Sequence, residues 1–407
     1  MRSRAFAALL GAITVLVLSG LVAAPSAGHH GGREISSLFA CDRPVTPPRC
    51  TSVGDGLRHR VAMDDSLTDG LAASLRQAMA DVYGATNLAL VEDPFATRLT
   101  DVIAFSGDYG ENGAAGWVYC PANAPQGVNA VGDRWCRQQE MHFNINPRYS
   151  IFFDDDASRD HVTCHEMGHT LGLRHWGNPP QTSDDQTAAT CMNANTPNGP
   201  TTLHQFDVDH IDAYYGEPRE PRPGTLTPPS RFRFVQLPWS GSLQATQVEP
   251  MAVTLGDLVA SADAIVRGEI TAVTPGRTFG DGGGPQLHYA AATLRVDELV
   301  AGRLPVAQRH DLTVEIPLFD GPSSIDDLPV WGDATFVLRS KATSARAAGL
   351  SAAEVIAEAA YYRLLTFTSL LVDDDGVALA AEDAGPLADL AGLPYERAVA
   401  ALRDAAR

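Results

Sequence analysis

The chain has 407 residues, more than one compact domain usually holds, so we expect at least two domains. It carries 30 basic against 49 acidic side chains, a formal net charge of −19 with neutral histidine. Such an acidic chain would repel phosphates, and binding to nucleic acid is therefore excluded.

The first 28 residues have the layout of a secretory signal peptide. Arg2 and Arg4 precede an apolar run at residues 5–22, and small residues follow at 23–28. The run is short for a retained membrane span, and polar chain follows it at once. We therefore expect a secreted, extracellular protein without a stable membrane anchor, and a short N-terminal arm at residues 29–56.

All six cysteines lie beyond this segment, and an even number in an exported chain favours disulfide pairing. Proximity along the chain suggests the pairs Cys41 with Cys50, Cys120 with Cys136, and Cys164 with Cys191. The alternative is that these thiols bind a metal ion. We do not favour it, because histidines at residues 165–175 already supply a set of metal ligands.

Elements of a mixed helix and strand pattern follow. Short apolar runs predict strands at residues 58–63, 87–91, 102–105, 116–119 and 141–145. Residues 66–83 predict an amphipathic helix, whose apolar side chains at helical spacing are Leu67, Leu71, Leu75, Met79 and Val82. The three carboxylates at residues 154–156 favour the start of a second helix, and a calcium site is the alternative that they leave open.

The most informative segment, residues 165–175, contains three histidines and a glutamate. On an α-helix His165 and His169 lie four residues apart, so their rings project from one face and can share a metal ion. Glu166 directly follows the first histidine, and its carboxylate can take a proton from water beside the metal instead of binding the metal. This pattern predicts a metal-dependent hydrolase.

Gly172 predicts the end of that helix, since glycine readily adopts the left-handed conformation. The chain can then double back so that His175 reaches the same ion. Three protein ligands leave a fourth position open, which is typical of catalytic zinc, whereas structural zinc is usually closed by four protein groups. The sequence therefore predicts one catalytic Zn²⁺.

A methionine turn around Met192 and an acidic, isoleucine-containing helix at residues 206–216 follow. With the extended histidine motif, they make residues 57–216 resemble a metzincin zinc peptidase domain, closest in layout to the matrixins. The resemblance implies an α+β fold, a twisted mixed sheet with an active-site helix, in which residues 141–145 form the edge strand. It implies these roles: zinc ligands His165, His169 and His175, general base Glu166, and platform residue Met192.

The chain also departs from the matrixin pattern. The loop at residues 106–116 has no histidine for a structural zinc, so we expect His142 to be an ordinary histidine on the strand surface. The spacer between His175 and Met192 is long, and its prolines suggest a loop at the rim of a substrate cleft. Cys50 follows a proline and an arginine as in the matrixin propeptide latch, but the rest of that latch is missing, which favours its disulfide.

Residues 217–250 are rich in proline and predict an extended linker to a second domain at residues 251–407. In this domain, strands are predicted at residues 264–273, 287–296, 311–316, 334–338 and 361–371, and helices at 255–262, 352–359 and 394–406. These elements favour a smaller β-rich domain, a barrel or a sandwich, with flanking helices. No motif in it indicates a chemical role.

Two classes of function remain. The preferred one is a secreted zinc metalloendopeptidase, a monomer that hydrolyses extracellular proteins or peptides. The alternative is a secreted binding or adhesion protein that retains a metzincin scaffold. A scaffold without catalysis would be free to lose Glu166 or a histidine, and all are present, which favours the enzyme.

Overall fold

The computed structural model describes residues 53–121, 123–128, 134–173, 190–193, 198–215, 244–247, 252, 254–280, 286–318, 325, 328, 333–366, 369–380 and 385–407. Within these ranges the chain forms two large β-sheets, a small two-stranded sheet and several helices, a mixed α/β arrangement. His175, Cys41, Cys50 and the predicted signal segment lie outside the described residues. None of the described helices is long and apolar enough to cross a membrane.

Among the described residues, the part of the chain before the second large sheet contributes eight strands, which are β1 (Arg58–Met63), β2 (Ala89–Asp93), β3 (Val102–Gly107), β4 (Ala114–Tyr119), β5 (Gln126–Val128), β6 (Arg134–Cys136), β7 (Gln139–Asn144) and β8 (Gln244–Gln247). Strands β5 and β6 pair only with each other, and the remaining six form one sheet in the order β2-β1-β3-β7-β4-β8. Strands β2, β1, β3 and β7 are parallel, whereas β4 is antiparallel to β7 and β8 is antiparallel to β4. The five strands predicted in this half are confirmed, with boundaries shifted by up to two residues.

The prediction that residues 141–145 form the edge strand was wrong. They belong to β7, which lies inside the sheet between β3 and β4. Five of its six residues are buried, with no alternation between an inner and an outer face. Strand β7 pairs with β3 on one side and with β4 on the other, and β4 pairs in turn with β8, so two strands lie beyond β7.

Three helices accompany this sheet, namely α1 (Asp69–Gln77), α2 (Asp156–Thr170) and α3 (Gln205–Tyr215). The predicted helix at residues 66–83 begins at Asp69, because the Thr68 side chain accepts a hydrogen bond from the N–H of Leu71 and caps it. It continues through a π-helical turn at Ala78–Val82. Helices α1 and α2 pack together, and their apolar side chains share one core with the sheet.

The second large sheet contains β9 (Ala264–Phe279), β10 (Leu287–Gly302), β11 (Asp311–Leu318), β12 (Ala334–Ser340), β13 (Tyr361–Leu364), β14 (Leu370–Asp374) and β15 (Val377–Ala380). Its order is β13-β11-β10-β9-β12-β14-β15, and β13 also pairs with β12. This extra pairing closes five strands into a barrel with a separate hydrophobic core. Of the two architectures that the sequence left open, the structure has the barrel.

Four helices flank the barrel, namely α4 (Leu255–Ser261), α5 (Lys341–Ala347), α6 (Ala352–Glu358) and α7 (Tyr395–Ala405). The three predicted helices correspond to α4, α6 and α7, whereas the sequence pattern does not predict α5. The single strand predicted at residues 361–371 is wrong, because β13 ends at Leu364 and β14 begins only at Leu370. Between the two strands the N–H of Thr366 donates to the Ser369 hydroxyl at 3.0 Å.

Two of the three predicted disulfides lie among the described residues. Cys120 is bonded to Cys136, with their Cα atoms 6.1 Å apart, and this bond joins the end of β4 to β6. Cys164 is bonded to Cys191, with their Cα atoms 5.9 Å apart. The pairing suggested by proximity along the chain therefore agrees with the structure at both places.

Candidate metal centre

Helix α2 carries the candidate site, and the carboxylates at residues 154–156 determine where it begins. Asp155 has an extended backbone, and its side chain accepts a hydrogen bond from the N–H of Ser158 at 2.8 Å. Asp156 lies in the first turn, where its negative charge interacts favourably with the positive end of the helix dipole. The predicted role in starting the helix therefore accounts for Asp155 and Asp156.

His165 and His169 face each other on the buried side of α2. Their ring centroids are 4.5 Å apart, their planes are nearly perpendicular, and their Nε2 atoms lie 2.9 Å from each other. Both side chains are buried, with exposed fractions of 0% and 1%. The spacing of four residues thus brings the two predicted ligands together.

Backbone carbonyls hold the second nitrogen of each ring. His165 Nδ1 lies 2.7 Å from the carbonyl oxygen of Cys191, and His169 Nδ1 lies 2.8 Å from that of Leu173. Because a carbonyl oxygen only accepts, each Nδ1 carries a proton and donates it, and a neutral ring then presents a lone pair at Nε2. The two Nε2 atoms are therefore oriented as ligands, as is typical of histidines that bind metal.

Two lone pairs that face each other across 2.9 Å repel unless a positive charge lies between them. Tetrahedral zinc holds histidine nitrogens at 2.0–2.1 Å, which places two of them about 3.3 Å apart. A relaxation of a few tenths of an ångström would therefore admit the ion, and the donor set fits zinc.

The third predicted ligand, His175, cannot be placed, because the described part of the chain stops at Leu173 and resumes at Thr190. Among the described residues, no group of three or more His, Cys, Asp or Glu side chains converges to hold a metal. The structure thus brings together two of the three predicted ligands.

The end of α2 agrees with the prediction made from Gly172, which has a φ of 91°. Its N–H donates to the carbonyl of His169 at 3.0 Å, and the N–H of Leu173 donates to the carbonyl of Gly168 at 3.0 Å. This is a Schellman turn, which requires a left-handed residue. The same turn presents the Leu173 carbonyl to His169 Nδ1, so it both ends the helix and orients the ring. The chain reaches His175 two residues later.

Glu166 is fully buried and lies against β4. A Cβ atom built on Gly116 of β4 would lie 2.7 Å from Glu166 Oε1 and 2.9 Å from its Cγ, distances that real Cβ atoms do not show. Gly116 therefore leaves the space that the carboxylate occupies. Gly116 was not predicted as a residue of the site. The sequence signal that could have indicated it is a glycine inside a predicted strand, which often marks a close approach of other atoms to the backbone.

Met192 packs against the C-terminal part of α2, at Gly168. A Cβ atom on Gly168 would collide with the Met192 sulfur and would lie 2.8 Å from the Tyr83 hydroxyl. That hydroxyl donates to the carbonyl of Cys164 at 2.7 Å. Burial raises the pKa of Tyr83 well above its ordinary value, and the charges of nearby carboxylates act in the same direction. Tyr83 thus stays protonated and remains a donor to the helix that carries the histidines.

The turn that carries Met192 is fixed to its surroundings at several points. The Cys164–Cys191 bond joins it to α2 one residue before His165. The Thr190 hydroxyl donates to buried Asp207 of α3 at 2.6 Å. Since the Cys191 carbonyl is the hydrogen-bond partner of His165, these links also fix the orientation of a predicted metal ligand.

His161 belongs to the surroundings of the site and was not identified from sequence. It lies one turn before His165, with ring centroids 6.1 Å apart, and its Nδ1 is 2.7 Å from the carbonyl of Pro200. Burial lowers the pKa of His161, although hydrogen bonds to backbone groups oppose this. The sequence contained the necessary pattern, since residues 161, 165 and 169 share one helical spacing.

His142 corrects a prediction, because it is buried and not on the strand surface. Its ring stacks on Phe105 and Trp117, its neighbours on β3 and β4, with centroids 5.1 Å apart in both cases. Its Nδ1 lies 3.1 Å from the Tyr109 hydroxyl, and its Nε2 lies 2.9 Å from Glu140 Oε2. The surrounding aromatic rings remove it from water, so this histidine packs and hydrogen-bonds within the sheet.

No protein-family model matches the sequence, and no curated protein is similar enough to match it. Solved structures do resemble the chain. The high choriolytic enzyme 1, a hatching-enzyme zinc protease from Oryzias latipes, is 13% identical, with a TM-score of 0.23, over 39% of this chain and 89% of its own. Two structures of myroilysin are 12% and 16% identical, with TM-scores of 0.23 and 0.25, over 41% and 42% of this chain and 86% and 97% of their own. At these values the neighbours carry no argument about chemistry, which has to follow from the residues of the site.

Proposed function

We propose that this protein is a secreted zinc-dependent metalloendopeptidase of the metzincin type. The observation that carries the proposal is the pair of buried histidines on α2, whose Nδ1 atoms are held by carbonyls and whose Nε2 atoms converge, with buried Glu166 directly after the first of them in the helix. The site needs a third ligand, and His175 is the candidate, since the left-handed turn at Gly172 reverses the chain just before it.

In the proposed site His165, His169 and His175 hold one zinc ion, and Met192 packs beneath the helix between the first two. Zinc, when bound, supplies a Lewis acid that polarises the substrate carbonyl and acidifies water. Glu166 is the general base, because it is the carboxylate that follows the first ligand and lies buried between α2 and β4. It accepts a proton from the attacking water and delivers it to the leaving amine.

The walls of the site keep Glu166 in position for both proton transfers. Gly116 confines the carboxylate on one side, and the Cys164–Cys191 bond fixes the helix relative to the methionine turn. Buried and closely packed groups lose little freedom when substrate binds, which favours catalysis. The disulfides and the signal-like first 28 residues support an extracellular location.

Zinc content and peptide cleavage, measured on the same preparations, test this proposal. We expect one zinc per chain in the wild type and in Glu166→Gln, and cleavage of a mixed peptide library reduced by about 100-fold to 10,000-fold in Glu166→Gln. The matched control is Glu92→Gln, an exposed glutamate paired with exposed Arg76, and it should retain activity. His169→Gln should lose the metal.

Absence of zinc from the wild-type protein would overturn the interpretation of the histidines. Stoichiometric zinc without cleavage, both in the intact chain and in Ala245→Pro/Thr246→Pro, which disrupts strand β8, would instead support the binding or adhesion protein. Cleavage that survives Glu166→Gln would remove Glu166 from the role of base.

A further inference from the structure

Strand β4 borders the proposed site and has two edges. One edge pairs with β7, and the other is the place where an extended peptide could add to the sheet through backbone hydrogen bonds. Gly116, which lies against Glu166, is in this strand. An extended peptide that adds to β4 opposite Gly116 is therefore positioned close to the proposed general base.

That position is already filled by the chain itself. Strand β8 pairs antiparallel with β4, and Thr246 lies opposite Gly116. The pairing extends to Ala245 opposite Trp117 and Gln244 opposite Val118, and β8 also lies beside α2. The segment Gln244–Gln247 therefore occupies the location that an extended substrate would need.

The barrel holds the loop that leads into β4. Arg363 of β13 donates to Glu111 at 2.6 Å, and both side chains are buried. The Tyr289 hydroxyl of β10 donates to the Tyr109 carbonyl at 2.9 Å. The ring of Phe279 packs so closely on Gly110 that a Cβ there would lie 2.7 Å from it.

An aromatic cluster reinforces this contact, since Leu287 and Tyr289 of the barrel bury the outer face of Trp117 and Ala114 of β4. A further ion pair joins Arg148 to Glu358 of α6, with 3.3 Å between charged atoms and both side chains nearly buried. Only residues 248–254 separate β8 from the first helix of the barrel. The barrel thus contacts the loop before β4 and one face of β4, the strand with which β8 pairs.

The geometry points to self-inhibition: the segment Gln244–Gln247 occupies the substrate edge of β4, and the docked barrel keeps it there. This inference rests on the proposed function. The segment acts as a tethered competitor that an extended protein or peptide substrate has to displace. Separation of the barrel, or cleavage of the chain between β8 and the barrel, would release it and activate the enzyme.

A tethered segment competes strongly even when its own affinity is modest. Short flexible tethers give effective concentrations of about 1 mM. If the free segment bound β4 with a dissociation constant of about 0.1 mM, the edge would be about 90% occupied, and releasing it would raise kcat/KM about tenfold. The contacts between the barrel and the loop before β4 would increase this factor.

Proline substitution opens the edge, because proline has no N–H for the ladder. In an antiparallel pair alternate residues point their N–H groups at the partner, so the double variant Ala245→Pro/Thr246→Pro removes one ladder bond in either register. The matched control is Leu226→Pro/Thr227→Pro, in the same proline-rich segment but outside β8. Each protein is assayed for zinc, for peptide cleavage, for deuterium uptake at β4, and for binding of a labelled synthetic peptide with the sequence of residues 241–250.

With labelled peptide at about 0.1 mM, well below the effective concentration of the tethered segment, we expect the opened variant to bind the peptide, while the wild type and the control bind little of it. The opened variant should also exchange its β4 amides faster and cleave substrate about tenfold faster. Peptide binding and exchange do not need catalysis, so they test the inference even if the chain proves not to be a peptidase. Equal peptide binding and equal β4 protection in all three proteins would overturn it.

A measurement on the wild type covers the case in which the opened variant does not fold. Millimolar labelled peptide should displace the tethered segment, so the amides of Gln244–Gln247 should exchange faster as the peptide saturates its site. If peptide binds while uptake at residues 244–247 is unchanged, or if it does not bind at all at that concentration, β8 is a permanent strand of the sheet and the inference fails.

Discussion

Substitution of Gly116 by alanine is the sharpest test of how Glu166 is positioned. The added Cβ would lie 2.7 Å from Oε1, 2.9 Å from Cγ and 3.0 Å from Cδ of Glu166. Ordinary contacts of this kind need about 3.5 Å, so Oε1 of the carboxylate has to move by about 0.8 Å. A misplacement of about 1 Å costs about 100-fold in rate, so we expect kcat/KM to fall about 40-fold, or about 2.2 kcal/mol in the activation barrier.

The assay is cleavage of a quenched fluorescent peptide in the Ala245→Pro/Thr246→Pro background, so that changes in β8 do not affect the rate. Gly256→Ala is the matched control, because its Cβ would lie an ordinary 3.5 Å from the Thr254 hydroxyl. Zinc content and the melting temperature should stay within error in both variants. An unchanged kcat/KM in folded, zinc-loaded Gly116→Ala would show that Gly116 does not confine Glu166.

Three further outcomes follow from the same geometry. Gly172→Ala should destabilise the protein by about 1 kcal/mol and weaken zinc binding, because the φ of Gly172 is 91° and alanine is strained there. The control Gly349→Ala, at φ 71° in the barrel domain, should lower the stability but leave zinc binding unchanged. Calorimetry measures the stability of both variants, and metal titration measures their zinc binding. Replacing both Cys164 and Cys191 by serine should cost about 3.5 kcal/mol in urea unfolding, since the bond spans a sequence separation of 27; a loss below about 1 kcal/mol would contradict the chain-entropy argument. Burial lowers the pKa of His59 from 6.5 to about 4. Between these two pH values the His59 side chain is protonated in the unfolded chain but neutral in the folded one, so the folded state loses stability as the pH falls from about 6.5 to 4. Between pH 7 and 4.5 the wild type should therefore lose about 2.5 kcal/mol more than His59→Gln, and parallel losses would show that His59 is not the group responsible.

The features of the site that sequence could predict are those set by neighbours along the chain. The helical spacing of His165 and His169 requires only the geometry of one helix. The start at Asp155 and the end at Gly172 depend on a single side chain and a single backbone conformation. Because such rules act over four or five residues, they apply before any tertiary structure is known.

Two of the errors, at His142 and at β7, concern pairing between distant segments. His142 looks like a surface residue in the pattern of its own strand, and only the aromatic rings of β3 and β4, with the barrel packed outside them, bury it. The place of β7 inside the sheet likewise depends on β4 pairing beside it. A strand pattern indicates which faces are apolar but not which neighbours are present, so the order of strands could not be derived from it.

Strand β8 lacks the sequence pattern by which strands are usually predicted. Its residues are polar or small, and its pairing with β4 uses backbone groups that every residue except proline carries. Proline is the informative residue here, because it cannot donate within a ladder and is excluded from a paired strand. In the linker the prolines stop at Pro238 and resume at Pro250, and the strand lies within that interval. A proline-free window inside a proline-rich linker therefore predicts where such a chain can add a strand to a neighbouring sheet, and proline placed inside the window, but not outside it, should open the edge of β4.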